Sequence, residues 1–127
     1  MQIITHQAID QTLCGCPVRV EKGFSRVEFV ATPQMTADDS GLVHGGFVFG
    51  LADYAAMLAV NHPNVVLGAA DVKFLKPIIR GDKVIAEARV EEIQGKKHWV
   101  AVSVTKQDEI IFQGMFTCFA LKNHVLD

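Results

Sequence analysis

The chain has 127 residues, half of them hydrophobic and a fifth charged, and its formal net charge is −2. This length suits one domain, the composition excludes a disordered chain, and the even charge balance speaks against a nucleic-acid-binding surface, which concentrates basic residues on one face. No apolar run reaches the roughly 18 residues of a membrane-spanning helix, and the first residues lack a signal peptide pattern, so we expect a cytoplasmic protein with no membrane or nucleic-acid partner.

The three cysteines, Cys14, Cys16 and Cys118, predict neither disulfides nor zinc binding. Their number is odd, and two of them are only two residues apart, which is a poor disulfide framework. No second pair of Cys or His residues follows with zinc-ligand spacing. We therefore expect reduced thiols and no metal site.

The chain is predicted to form a single domain over residues 1–127, in which residues 1–17 are an N-terminal extension with loosely helical spacing. Residues 18–32 alternate between apolar and polar side chains, which predicts one or two strands around Gly23. A polar loop is expected over residues 33–40.

A long helix is predicted from Gly45 to Asn61, because this stretch is apolar on nearly every helical face. Pro63 disfavours helical geometry in the residue before it and so ends the helix. A helix without a polar face must be surrounded by protein.

The remaining chain predicts four strands joined by hairpins, and therefore an antiparallel sheet. The strands are expected at residues 65–74, 83–93, 98–106 and 110–121. The fold class is therefore α+β, with one long helix and a sheet of about five antiparallel strands. Because the helix is apolar all round, the sheet must curl about it or a second copy must cover it, and we expect a homo-oligomer.

The tripeptide His44-Gly45-Gly46 marks the start of this helix: His44 directly precedes it, and Gly45 and Gly46 are its first residues. Glycines allow a ligand to approach the backbone closely. The first N–H groups of a helix lack intrahelical partners and lie at the positive end of its dipole. They are therefore candidates to stabilise a carbonyl oxygen that becomes negatively charged during attack.

Asp53 is an acidic residue within the otherwise apolar helix. Burying a carboxylate is unfavourable unless it is paired, hydrated or functional. Asp53 is therefore the leading candidate for a catalytic carboxylate. A structural carboxylate that pairs across a dimer is the alternative.

The spacing between Gly45 and Asp53 constrains how they can cooperate. Eight helical residues span roughly 12 Å along the axis, which is too far for one carboxylate to reach a carbonyl held by the Gly45 N–H. If both act on one substrate, Asp53 must come from another subunit across a two-fold axis. Two equivalent sites at a dimer interface are expected.

Four motifs together resemble the hotdog thioesterases, and most nearly the phenylacetyl-CoA thioesterase (PaaI)-like group. They are His44-Gly45-Gly46, Leu51-x-Asp53, Phe74-Leu75-Lys76-Pro77 and Gly81-Asp82. The resemblance implies a hotdog fold, in which a curved antiparallel sheet wraps a long central helix and dimerises into a larger sheet. It also implies homodimers, which can pair into homotetramers.

The resemblance further implies that the substrate is an acyl-CoA and that no cofactor is needed beyond its CoA moiety. The Gly45 N–H would polarise the thioester carbonyl, His44 would shape the site, and Asp53 of the neighbouring subunit would be nucleophile or general base. Substrate contacts are expected at Gly46, Asp38, Phe74, Lys76 and Arg80. Weaker candidates for the CoA phosphates are Lys73, Lys96 and Lys97.

Asp38 departs from the pattern of this family. Many relatives carry an Asn six residues before the His of the HGG motif, where it orients the substrate or the water. An amide donates and accepts hydrogen bonds, whereas an ionised carboxylate only accepts them. Asp38 in place of Asn therefore changes the hydrogen bonds that can position the water, and with them the expected catalytic activity.

Three functions are compatible with this pattern. The first is hydrolysis of a small or medium acyl-CoA or aryl-acyl-CoA. The second is an acyl-CoA sensor without turnover, since residues 113–116 (QGMF) resemble the ligand domain of hotdog regulators of lipid synthesis. The third, a hotdog hydratase, fits the nine-residue spacing of His44 and Asp53 poorly. The acyl group stays open.

Overall fold

One long helix packs against a single antiparallel sheet of six strands in the computed structural model, which describes residues 1–127. The elements are α1 (Gln11–Cys14), β1 (Cys16–Glu21), β2 (Phe24–Val30), a 3₁₀ turn (Pro33–Met35), α2 (Gly45–Val60), β3 (Val65–Phe74), β4 (Lys83–Gln94), β5 (Lys97–Lys106) and β6 (Glu109–Ala120). This is the hotdog arrangement, so the predicted fold class is confirmed. None of the helices combines the length and hydropathy needed to span a bilayer.

The predicted series of four strands joined by hairpins is wrong at its first link. The strand order is β1-β2-β4-β5-β6-β3, so β3 pairs with β6 and lies at the far edge from β1. Eight residues, 75–82, separate β3 from β4, which is longer than a tight hairpin turn. Leu75 N and Lys76 N both donate to Ile111 O, at 2.8 and 3.2 Å, and direct this connection away from β4.

The N-terminal third also differs in detail from the prediction. The alternating segment forms two strands, β1 and β2, which raises the total from about five to six. β1 begins at Cys16, inside the predicted extension, of which only Gln11–Cys14 is helical. The long helix ends at Val60, because Asn61 adopts the left-handed conformation with φ 48°.

Most of α2 is enclosed, as its composition predicted. Nine of its sixteen residues are buried, including Leu51 and Leu58 with no exposed surface. The inner face of the sheet supplies the opposite half of the core through Val27, Val100 and Phe116. The sheet therefore curls about the helix, and burial of these side chains is the main source of stability.

One buried polar contact joins the helix to the sheet. The Ser25 hydroxyl, on β2, donates to Ala55 O of α2 at 2.6 Å and is completely shielded from solvent. A buried hydroxyl without a partner would be unfavourable, so this bond satisfies the only polar atom of the side chain. It also fixes the position of α2 along β2.

β3 leaves one edge of the sheet without a partner strand. It hydrogen-bonds only with β6, and its central residues Gly68, Ala69 and Ala70 are exposed. An unpaired edge presents free N–H and C=O groups to another strand. Small side chains at its middle permit close approach of that strand.

Replacing Ser25 by Ala is expected to lower the free energy of unfolding by about 1 kcal/mol, because the hydrogen bond to the helix is lost. Urea unfolding followed by circular dichroism measures the change. Ser103→Ala is the matched control, since Ser103 lies on the outer face of the sheet and makes no hydrogen bond through its hydroxyl. Equal losses in both variants would contradict the assignment.

Candidate active site

The first turn of α2 presents two free backbone donors. His44 is the N-cap residue, with extended φ −64° and ψ 131°, and its N–H donates to Met35 O at 3.0 Å. Its side chain makes no capping hydrogen bond. The N–H groups of Gly45 and Gly46 have no partner within the protein. They are therefore available to an acceptor at the positive end of the helix dipole.

Both of these glycines pack closely against neighbouring rings. A Cβ on Gly45 would lie 3.2 Å from Phe74 Cε2, and a Cβ on Gly46 would lie 2.9 Å from His44 Cδ2. The His44 ring also packs edge-on against Phe47, with ring centroids 6.2 Å apart. The glycines thus make room for the rings beside the helix terminus, and this packing role coexists with their free N–H groups.

A cavity of about 320 Å³ opens beside Gly45. Phe74 and Lys76, both predicted substrate contacts, line it together with Gly45. The remaining lining residues are Val43, Val48, Leu75, Pro77, Ile78 and Ile111. The Lys76 ammonium pairs with Glu109 at 2.8 Å in an exposed position. This Gly45 cavity is mainly apolar, with one cation at its rim.

Two other predicted contacts lie outside the Gly45 cavity. Asp38 is exposed and accepts a hydrogen bond from Ser40 N at 3.0 Å, and its bonds to Ser40 hold the pKa of its carboxyl below the usual range. Arg80 is exposed and lies against Gly41, with no ion-pair partner. Asp38 is therefore an ionised surface carboxylate, and Arg80 is a free surface cation.

Asp53 projects from the middle of α2 and is largely buried. It makes no hydrogen bond or salt bridge with any other residue. Burial without such partners raises the pKa of its carboxyl to about 6. Its charge contributes to the raised pKa of the Cys14 and Cys118 thiols, after burial. Asp53 therefore has no pairing partner within one subunit, and the alternative of a carboxylate that pairs across a dimer stays a prediction.

A separate cavity of about 380 Å³ opens beside Asp53. Both chain termini contribute to it, since Thr5, His6 and His124 lie in its wall. The other lining residues are Met57, Pro63, Asn64, Val65, Val66, Leu67 and Val125. Sequence reasoning missed the terminal residues, because nothing in the weak pattern of the first 17 residues indicates where they fold. The signal that the sequence did offer was a histidine in each terminal segment, His6 and His124, since no role was assigned to either segment.

The Asp53 cavity and the Gly45 cavity share no lining residue. They lie along one helix, separated by the roughly 12 Å that eight helical residues span. One subunit therefore presents the two candidate catalytic elements to different cavities.

The weaker phosphate-binding candidates lie elsewhere. Lys73 borders a cavity of about 540 Å³ on the outer face of the sheet, where Glu87 and Arg89 also lie. The Lys97 ammonium packs over the Trp99 ring at 4.9 Å from its centroid. Lys96 is exposed in the β4–β5 turn. None of these lysines lines the Gly45 or Asp53 cavity.

The side chains offer no metal-binding cluster, since no group of three or more His, Cys, Asp and Glu residues is placed to share an ion. All three cysteines are free thiols. Burial raises the pKa of Cys118 to about 12, which leaves it a core thiol rather than a nucleophile.

Several solved structures share the fold. Protein PH1136 from Pyrococcus horikoshii is 48% identical, with a TM-score of 0.99 over 100% of this chain and 98% of that chain. Escherichia coli PaaI, from the phenylacetic acid degradation operon, is 24% identical, with a TM-score of 0.83 over 94% and 88% of the two chains. Streptococcus mutans smu.793, solved with acetyl-CoA, is 24% identical, with a TM-score of 0.81 over 94% and 97%. The latter two similarities establish the fold alone.

Two curated relatives match most of this chain, whereas the chain spans half or less of their length. Methylthioribose-1-phosphate isomerase of Aquifex aeolicus is 53% identical over 95% of this chain and 27% of that protein. Transcription factor FapR of Caldanaerobacter subterraneus subsp. tengcongensis is 28% identical over 77% of this chain and 49% of that protein.

The family model described as the thioesterase superfamily matches residues 40–112. This range contains the HGG tripeptide, all of α2 and the strands β3 to β5, so it covers both the Gly45 and the Asp53 positions. The resemblance read from the sequence motifs is thereby confirmed: the chain belongs to the thioesterase superfamily of hotdog-fold proteins.

Proposed function

We propose that the protein hydrolyses small or medium acyl-CoA or aryl-acyl-CoA thioesters at two equivalent sites shared between the subunits of a homodimer. The observation that carries this proposal is Asp53, an unpaired carboxylate in an apolar helix that faces a cavity and has a pKa of about 6. Such a carboxylate is unfavourable for folding and suited to accepting a proton near neutral pH. Membership of the thioesterase superfamily supports the reaction class.

The free edge of β3 supports the dimer. β3 runs from the Asp53 cavity, which Val65 lines, to the Gly45 cavity, which Phe74 lines. Two such edges paired antiparallel about a two-fold axis would place the Val65 end of one beside the Phe74 end of the other. The Asp53 cavity of each subunit would then meet the Gly45 cavity of its neighbour. This arrangement overcomes the separation of the two groups within one helix.

The chemistry uses one group from each subunit. The Gly45 N–H of one subunit donates to the thioester carbonyl oxygen and stabilises the negative charge that develops on it. Asp53 of the other subunit acts as general base on a water molecule, whose oxygen attacks the carbonyl carbon. The C–S bond of the tetrahedral intermediate then breaks, and CoA leaves as the thiolate.

The substrate would extend across both cavities. The apolar Gly45 cavity, with Phe74 against the glycine, suits the thioester and the adjoining part of the chain. Lys76 at the rim of the Gly45 cavity and Arg80 on the exposed surface nearby carry positive charges that can meet the CoA phosphates. Asp38, ionised and hydrogen-bonded to Ser40, would orient water or substrate only as an acceptor. The structure of smu.793 with acetyl-CoA supports an acyl-CoA ligand for this fold.

An acyl-CoA-binding regulator is the second candidate function. It is favoured by the similarity to transcription factor FapR, which extends over 77% of this chain. A regulator needs the ligand cavities but has no use for a carboxylate with a pKa near neutrality. Tight acyl-CoA binding without thiol release would favour the regulator over the hydrolase.

Asp53→Asn is expected to lower kcat for acyl-CoA hydrolysis by about 10²- to 10⁴-fold, because the amide cannot accept the proton of water. Release of free thiol from a panel of short, medium and aryl acyl-CoAs measures the rate. Asp108→Asn is the matched control and should keep wild-type activity, since Asp108 is exposed in the β5–β6 turn, outside both cavities and outside β3. Equal rates in wild type and Asp53→Asn would refute the proposed function.

The pH dependence follows from the raised pKa of Asp53. Only the carboxylate can accept a proton, so kcat/KM should rise as pH increases through about 6 and fall tenfold per pH unit well below it. The residual rate of Asp53→Asn should lack this inflection. An inflection near pH 4 in the wild type would contradict the burial that the structure assigns to this carboxyl.

A further inference from the structure

The first residues of the chain are fastened to the C-terminal end of α2. Asn61 accepts a hydrogen bond from Ile4 N through Oδ1, at 3.0 Å, and donates one from Nδ2 to Gln2 O, at 2.9 Å. Its φ of 48° lies in the left-handed region, which Asn tolerates better than most residues. This two-bond clamp determines where the next residues lie.

The clamp leads the chain into the wall of the Asp53 cavity at Thr5 and His6. Thr5 is only 4% exposed, and its Oγ1 lies 2.8 Å from Nδ1 of the His6 ring. His6 itself has φ 51°, a conformation that non-glycine residues seldom adopt. In the tautomer whose Nδ1–H donates to Thr5 Oγ1, the lone pair of Nε2 is free to accept a proton.

Few titratable groups surround Asp53. His6 and His124 share its cavity, and the Cys14 and Cys118 thiols are close enough to respond to its charge. Burial raises the pKa of Asp53 to about 6 and lowers the pKa of His6 from its ordinary value of 6.5. The lowered pKa of His6 favours its neutral imidazole, which is the form that can accept a proton from a carboxyl in the same cavity.

We propose that His6 carries the proton of Asp53 to solvent in each turnover, so that the N-terminal segment is part of the active site. This inference rests on the proposed hydrolysis, in which Asp53 removes one proton from water as the water oxygen bonds to the carbonyl carbon. Nε2 of neutral His6 takes that proton across the cavity and, being partly exposed, releases it to solvent. Asp53 is then ionised again, while the CoA thiolate and the product acid exchange their own protons with solvent.

His6→Gln should lower kcat about tenfold and leave KM unchanged, because proton release from Asp53 slows while substrate contacts stay. Free imidazole in the assay should restore most of the lost rate. His98→Gln, which changes a histidine on β5 outside both cavities, is the matched control and should behave as wild type. Wild-type kcat in His6→Gln, or a loss that imidazole does not restore, would overturn the proposal.

A titration that needs no turnover provides the second test. The NMR signals of the His6 ring should show a separate inflection near pH 6 in the wild type, because the charge of Asp53 changes there. In Asp53→Asn the curve should become a single step with a shifted midpoint. Identical curves in the two proteins would show that the groups are not coupled and would refute the relay.

The failures of the two proposals are distinguishable. Full activity of Asp53→Asn would refute the hydrolytic mechanism and the relay together. Loss of activity in Asp53→Asn alongside normal kcat and pH dependence in His6→Gln would refute only the relay.

Discussion

The structure depends on burying a helix that has almost no polar face. α2 has only one acidic and no basic side chain among its sixteen residues, so nearly every side must contact protein. The six-stranded sheet curls about one side, and the N-terminal segment closes against its C-terminal end through Asn61. Ser25 adds the one buried hydrogen bond between helix and sheet. The fold is organised as an enclosure for this helix.

The same enclosure gives the site its chemical character. The helix begins at Gly45, where free N–H groups lie beside an apolar cavity, and it places Asp53 among hydrophobic residues that raise the pKa of its carboxyl. Burial that stabilises the helix thus also makes its single carboxylate a better base. The length of the helix separates the two groups, and the open edge of β3 offers the means to bring them together between subunits.

The sequence was most informative where one local pattern decides the structure. The apolar run predicted α2 from its first residue, and β3 was predicted at its observed bounds, because alternation and flanking turns are local signals. The pairing of β3 with β6 was not predictable, since it joins residues that lie between 38 (Phe74 and Phe112) and 55 (Val65 and Ala120) positions apart, and each strand could equally pair with other neighbours. His6 was missed because its place depends on the Asn61 clamp. Gly45 and Asp53 were predicted as site residues because a glycine pair at a helix start and an acid in an apolar helix are each unfavourable for stability unless they serve a function.

A site shared between subunits is the central claim, and mixed dimers test it most directly. Gly45→Pro removes the N–H while suiting the first position of a helix, and Gly45→Ala controls for the added bulk beside Phe74. The homodimers of Gly45→Pro and of Asp53→Asn should each retain only a small residual activity. A purified heterodimer of the two retains one intact pair of groups and should show about half the thiol release of the wild-type dimer. Heterodimers with no activity would show that Gly45 and Asp53 do not act together across the interface.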